Sequence, residues 1–238
     1  MKTPAQYLAL ALDNISGFEE LRALIAETSK HVGVYKLGLE QFTRFGPGVL
    51  DLVREADRKI FLDLKFHDIP NTVAKAVASA CDLKIDYLTI HTQGGIEMMR
   101  AAMDVAKQAD HRPKILGVTL LTSINQNALN NDLGVASTTE KYVLHLASNA
   151  VNSGLDGLVC SANDLETIKP VLKEGFEVVT PGIRPTGAAK DDQKRVATPA
   201  WAIKNGSTLL VVGRPITGAE NRADAAAKIN LEIGEALK

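Results

Sequence analysis

The sequence predicts an α/β fold, a single (β/α)8 or TIM barrel occupying residues 1–238. Short apolar runs that read as strands recur eight times along the chain. A helical period separates each run from the next. No linker and no shift in composition interrupts the 238 residues, a length at which single barrels are commonly built. Strict strand–helix alternation demands a parallel sheet, because each crossover must return the chain to the same end. Eight such units favour closure into a barrel over an open doubly wound sheet.

In chain order, the candidate strands are Tyr7–Leu12, Val32–Leu37, Ile60–Leu64, Tyr87–Ile90, Ile115–Leu120, Gly157–Val159, Glu177–Thr180 and Leu209–Val212. Between them apolar side chains fall at helical spacing: Leu21/Leu24/Ile25/Thr28, Val49/Leu52/Val53/Ala56, Ala74/Val77/Ala78/Cys81, Met99/Ala102/Met103/Ala106 and Val143/Leu146/Ala147/Ala150. Leu165/Ile168/Leu172 and Ala226/Ile229/Ile233 continue the pattern more loosely. Ser16…Glu19, Ser137…Glu140 and Thr217…Glu220 have capping-box spacing and mark three expected helix starts. Ser123–Ala136, polar and Asn-rich, reads as a long loop after the fifth strand, and Gly182–Thr198 as another after the seventh. Met98, Met99, Met103 and Cys81 suit helix packing.

Bulk composition excludes several functions. With 27 basic and 28 acidic residues the formal net charge is -1, which argues against a general nucleic-acid-binding surface. No apolar run approaches the roughly 20 residues that cross a bilayer. The N-terminal stretch lacks a signal-peptide pattern, so a cytoplasmic location is expected. The two cysteines, Cys81 and Cys160, have no metal-ligand spacing, and neither a zinc site nor a disulfide scaffold is expected.

Chemistry concentrates at the strand ends, where barrel active sites lie. The richest segment is Asp63-Leu64-Lys65-Phe66-His67-Asp68-Ile69-Pro70-Asn71-Thr72. Alternation along a strand puts Asp63 and Lys65 on one face, with Asp68 just beyond. Such a pair could merely close the barrel mouth as a structural ion pair. Lys36 at the end of the second strand alters that reading, because two lysines and two aspartates then alternate in charge. At an effective dielectric near 20, opposite charges about 4 Å apart attract by roughly 4 kcal/mol, enough to offset partial desolvation. An ammonium fixed in this way can stabilise a carbanion and then protonate it. His67 and His91 are expected to pack rather than react.

The seventh and eighth strands run into Pro181-Gly182-Ile183-Arg184-Pro185 and Gly213-Arg214-Pro215. Alone, a Gly-Arg turn is commonly just a surface turn. Two of them at these barrel positions fit a phosphate site, since glycine admits an oxyanion close to the backbone and arginine offers a planar fork of donors.

The segment Asp63–Thr72 resembles the DxKxxDxPxT signature of the orotidine 5′-phosphate decarboxylase family. Leu10-Ala11-Leu12-Asp13, Tyr35-Lys36, Leu121-Thr122-Ser123, Pro181–Pro185, Gln193 and Val212–Pro215 follow that family's order across essentially the whole chain. The resemblance implies a carbon–carbon lyase that removes CO2 from C6 of orotidine 5′-phosphate to give UMP, the last step of pyrimidine nucleotide synthesis, without metal or organic cofactor. It implies a homodimer with sites at the interface. In that scheme Lys65 protonates the C6 carbanion, Asp63 sits beside the substrate carboxylate, and Asp13 and Lys36 hold the ribose hydroxyls. Asp68 and Thr72 enter the neighbouring subunit's site, and the Thr122 region borders the pyrimidine. Gln193 bridges base and phosphate, with Arg184 on the same loop, and Gly213 and Arg214 complete the phosphate site.

Two other readings stay open on the sequence. One is a metal-dependent sugar-phosphate decarboxylase or aldolase of similar fold, which carries a related third strand but an acidic metal ligand where Lys36 stands. The other is a non-catalytic nucleotide-sensing barrel.

Overall fold

The computed structural model describes residues 2–185 and 197–238. Eight parallel strands close in the order of the sequence: β1 Leu8–Ala11, β2 Val34–Gly38, β3 Lys59–Phe66, β4 Tyr87–His91, β5 Lys114–Val118, β6 Gly157–Val159, β7 Glu177–Thr180 and β8 Leu209–Val212. β1 pairs with β2 on one side and with β8 on the other, which closes the ring. The expected fold class is therefore the observed one.

Ten α-helices accompany the strands: α1 Phe18–Thr28, α2 Leu39–Phe45, α3 Leu50–Glu55, α4 Pro70–Asp82, α5 Gly95–Ala106, α6 Thr139–Asn152, α7 Leu165–Ile168, α8 Pro199–Lys204, α9 Arg214–Thr217 and α10 Arg222–Ala236, counted among the described residues. They pack their apolar stripes on the outer wall of the sheet. The predicted stripes of α1, α5 and α6 are the buried ones. In α4 the phase differs: Val73, Val77, Ala80 and Cys81 are buried, whereas Ala74 and Ala78 are not. The buried face is centred on Val73 and Val77, which remove more apolar surface from water than the alanines beside them.

The expected capping boxes are each displaced. α1 starts from Gly17 rather than Ser16, and Thr138 rather than Ser137 caps α6, its hydroxyl accepting from the Lys141 N–H. Ser137 is taken by the preceding loop, where Gln126 and Asn130 both donate to its carbonyl. Thr217 ends the short α9, and Asn221 caps α10 instead. The Asn-rich Ser123–Ala136 segment is no plain loop, since it contains a π-helical turn over Ala128–Asp132.

Two apolar layers result. The larger lies between strands and helices. The inner one fills the barrel with Ala9, Ala11, Val34, Phe61, Tyr87, Leu116, Val179, Leu209 and Val211. Small alanines on β1 leave room for Phe61 and Tyr87, whose rings meet at 5.8 Å. This packed layer is the floor of the mouth. Side chains two residues further along each strand stand above it, at the C-terminal end. At the opposite end Glu177 accepts from Lys114 and Thr208 and closes the bottom.

Candidate active site

On three neighbouring strands the inward column of side chains passes from the apolar floor to a polar rim. On β3 the column runs Phe61 then Asp63, on β2 Val34 then Lys36, and on β1 Ala11 then Asp13. These rims are neighbours because β1, β2 and β3 pair consecutively, with Gly38 opposite Asp63 in register. The result is a chain of alternating charge. Lys36 Nζ lies 3.3 Å from Asp13 and 3.4 Å from Asp63 Oδ2. Lys65 Nζ donates to the same Asp63 Oδ2 at 2.7 Å. Gly38 makes this possible, since a Cβ there would stand 3.2 Å from Asp13 Oδ1 and 3.4 Å from Lys36 Nζ.

Lys36 and Asp63 are buried, at 8% and 7% exposure, although both are ionic. Burial alone pushes the Asp63 carboxyl up. The charges of Lys36 and Lys65, with hydrogen bonds from Lys65 and Thr89, outweigh it and hold Asp63 below the usual carboxylate range. Asp63 is thus an anion at neutral pH, wedged between two ammonium groups.

Regular strand alternation does not deliver Lys65. Its φ is +50°, in the left-handed region, and the β3–β4 register shifts between Leu62 and Phe66. The backbone is bulged at the lysine. The Lys65 N–H is accepted by Thr89 Oγ1 at 2.9 Å, and the same hydroxyl donates to Asp63 Oδ1 at 2.9 Å. Nothing in the sequence singles out Thr89, a fully buried residue on β4. A polar residue at an inward strand position is the only signal that could have found it.

A cavity of about 560 Å³ opens above the floor. Its charged wall carries Asp13, Lys36, Asp63 and Lys65, and Arg184, Gly213 and Arg214 from the last two loops line the same cavity. Thr122 borders it, and Val118, Val159 and Val211 form an apolar patch on the wall. That volume lies within the range of small-ligand sites. At Gly213 a Cβ would stand 3.7 Å from Ala11 Cβ, so packing does not demand glycine there; its smallness serves the cavity. Arg184 is buried, and its N–H bonds the Ala197 carbonyl, tying the two ends of the seventh loop together. Gly182 has φ +76°, a conformation that favours glycine, at the start of that loop.

Not every expected site residue gathers here. Asp68 and Thr72 are exposed and lie outside the cavity lining, and Asp68 Oδ1 accepts from the Ile69 N–H. Within one chain Asp13, not Asp68, is the second aspartate of the charge chain. Gln193 lies outside the described residues. His67 and His91 sit beside each other with ring centroids 5.3 Å apart, and neither lines the cavity. Burial, with His67 and Lys65 nearby, pushes the His91 imidazole below its ordinary pKa despite Asp63. Among the described residues no three His, Cys, Asp or Glu side chains form a metal-binding group. No helix among them is long and apolar enough to cross a membrane.

A closed parallel barrel with an ammonium and a carboxylate locked together at its mouth, and with arginines from the last two loops lining the same cavity, defines the class: a barrel enzyme for an anionic substrate. Comparison with known proteins narrows it. The profile of the Orotidine 5′-phosphate decarboxylase / HUMPS family matches residues 6–229. The orotidine 5′-phosphate decarboxylases of Syntrophus aciditrophicus and Idiomarina loihiensis are each 44% identical, over 99% of this chain and 96% and 100% of theirs. The crystal structure of the Lactobacillus acidophilus orotidine 5′-phosphate decarboxylase superposes with a TM-score of 0.84 at 36% identity, covering 96% of this chain and 99% of that one. The chain belongs to the Orotidine 5′-phosphate decarboxylase / HUMPS family.

Proposed function

We propose that the chain decarboxylates orotidine 5′-phosphate to UMP and so completes pyrimidine nucleotide synthesis, with Lys65 as the proton donor. The observation that carries this reading is the Lys65 ammonium held 2.7 Å from a buried, ionised Asp63 at the wall of a nucleotide-sized cavity. When the bond from C6 to the carboxyl carbon breaks, its electron pair stays on C6 in the ring plane, out of conjugation with the ring carbonyls. No electron sink is available within the ring. Stabilisation therefore falls to a preorganised positive charge, and Lys65 supplies it. CO2 leaves, the ammonium transfers a proton to C6, and the resulting amine regains one from water.

Asp63 fits a place beside the departing carboxylate. Its negative charge keeps the ammonium in position and crowds the substrate carboxylate, whose charge passes to C6, beside Lys65, as neutral CO2 forms. Asp13 and Lys36, one acceptor and one donor joined at 3.3 Å, suit two neighbouring ribose hydroxyls. Thr122 borders the base. Gly213, Arg214 and Arg184 take the phosphate, whose binding free energy holds the ring against Lys65. Gln193 is assigned to base and phosphate. A homodimer in the cytoplasm completes the reading. The exposure of Asp68 and Thr72 beyond the rim of their own cavity supports their entry into the partner subunit's site.

The metal-dependent alternative gains nothing from the cavity. Lys36, between two aspartates, puts an ammonium where that mechanism requires a metal ligand. The deciding assay follows orotidine 5′-phosphate absorbance with and without EDTA. Full turnover in chelator is the expected result, and its abolition would favour the alternative. Tight UMP binding without turnover would favour a nucleotide sensor.

A further inference from the structure

Resting on that reading, we infer that Thr89 is a positioning residue whose single hydroxyl sets both the direction of the Lys65 ammonium and the orientation of the Asp63 carboxylate. Lys65 is one of four non-glycine residues with positive φ in the chain's described part, and the only one of them in a strand. The left-handed region is sterically unfavourable for a lysine. At this point β3 loses register with β4, so the Lys65 N–H has no ladder carbonyl opposite it. Thr89 Oγ1 accepts that N–H at 2.9 Å and thereby closes the bulge.

The same oxygen gives its own proton to Asp63 Oδ1 at 2.9 Å. Asp63 then has one oxygen anchored to β4 and the other, Oδ2, aimed at Lys65 and Lys36. An oxygen that accepts from one catalytic partner and donates to the other couples their geometries. The hydroxyl is fully buried and does not line the cavity, so it acts through Lys65 and Asp63 rather than on substrate. Valine has nearly the same shape and no hydroxyl, and would leave both a buried N–H and a carboxylate oxygen without this partner.

The test compares Thr89→Val, Thr89→Ala and Thr89→Ser with the parent chain, in turnover of orotidine 5′-phosphate, UMP affinity and thermal melting. Thr89→Val is expected to lose about 10- to 100-fold in kcat, the worth of one hydrogen bond to a charged group. UMP affinity should stay within about threefold, because the arginine side is untouched, and Thr89→Ser should regain kcat to within about threefold. A Thr89→Val kcat within twofold of the parent would overturn the inference. So would equal impairment of the Val and Ser variants, or UMP affinity falling in step with kcat. Failure of both hydroxyl-free variants to melt cooperatively would also count against it, by making the hydroxyl a folding requirement. An inactive parent chain would instead sink the decarboxylase reading itself, which separates the two failures.

Discussion

Replacing Lys65 by alanine should remove chemistry while largely sparing both fold and nucleotide binding. Lys65 Nζ and Lys36 Nζ lie 2.7 and 3.4 Å from Asp63 Oδ2. At an effective dielectric near 20 the attractions are about 6 and about 5 kcal/mol before desolvation is subtracted, so the two cations hold Asp63 comparably. In Lys65→Ala the carboxylate keeps Lys36 and the Thr89 hydroxyl. The net loss of stability is then about 1.5–3 kcal/mol, the range for one hydrogen bond between charged groups. For a chain of this size that lowers Tm by roughly 3–12 °C. Catalysis loses much more. A positioned proton donor contributes about 10²–10⁴-fold and a preorganised charge about 10²–10³-fold, so turnover should fall by about 10⁴-fold or more. Absorbance of orotidine 5′-phosphate reports turnover, and calorimetric titration with UMP reports binding, expected within about tenfold of the parent. Turnover within 100-fold of the parent would refute the role given to Lys65. UMP affinity collapsing in parallel would show that the lysine serves binding instead.

Three further outcomes are expected. Arg214→Ala should raise KM for orotidine 5′-phosphate by about 10- to 100-fold, the loss of a charge-assisted contact to phosphate, and steady-state kinetics showing an unchanged KM would remove Arg214 from the phosphate site. Mixing inactive Lys65→Ala and Asp68→Ala subunits should restore part of the activity, because one mixed site would receive both an intact lysine and an intact aspartate; verified mixed dimers that stay inactive would argue against shared sites. Glu177, at the bottom of the barrel, is pushed up by burial, but hydrogen bonds from Lys114 and Thr208 and the nearby Lys2 and Lys114 charges leave it below the usual carboxylate range. The unfolded chain therefore binds the extra proton in acid, so this stabilisation is complete above about pH 5 and is lost as pH falls through the unfolded and then the folded value. Glu177→Gln should flatten the acid limb of denaturant stability while kcat at neutral pH stays within about twofold, and an unaltered limb would contradict the assignment.

The inward columns explain how one strand can be both core and catalyst. On β3, Phe61 belongs to the barrel floor and Asp63, two residues on, to the mouth. A packed floor keeps water from entering below. It also fixes the strand that carries the charges, so that Asp63 and Lys36 stay ionic at less than 10% exposure. Such a pair contributes little net stability after desolvation, and its value lies in charge already oriented before substrate arrives.

Much of this was legible without coordinates. Strand and helix periods are local properties of side-chain order, so the eight strands, the barrel and most helix stripes could be read directly, with edges moved by one or two residues. Asp13, Lys36, Asp63 and Lys65 were legible because each stands at the end of an apolar run. The capping boxes failed for an equally local reason: neighbouring hydroxyls compete for one helix start, and loop hydrogen bonds decide between Ser137 and Thr138. Other features depend on residues far apart in the chain. Ring closure through β1 and β8 brings the Gly213-Arg214 turn to the cavity that Asp13 borders. Only the folded sheet puts Thr89 against Asp63 and Lys65, 26 and 24 residues away, and only there does the left-handed turn at Lys65 acquire a hydrogen-bonding partner. Sequence fixes which groups are available and on which strand face they start. Cross-strand hydrogen bonding, which no periodicity encodes, decides which of them meet.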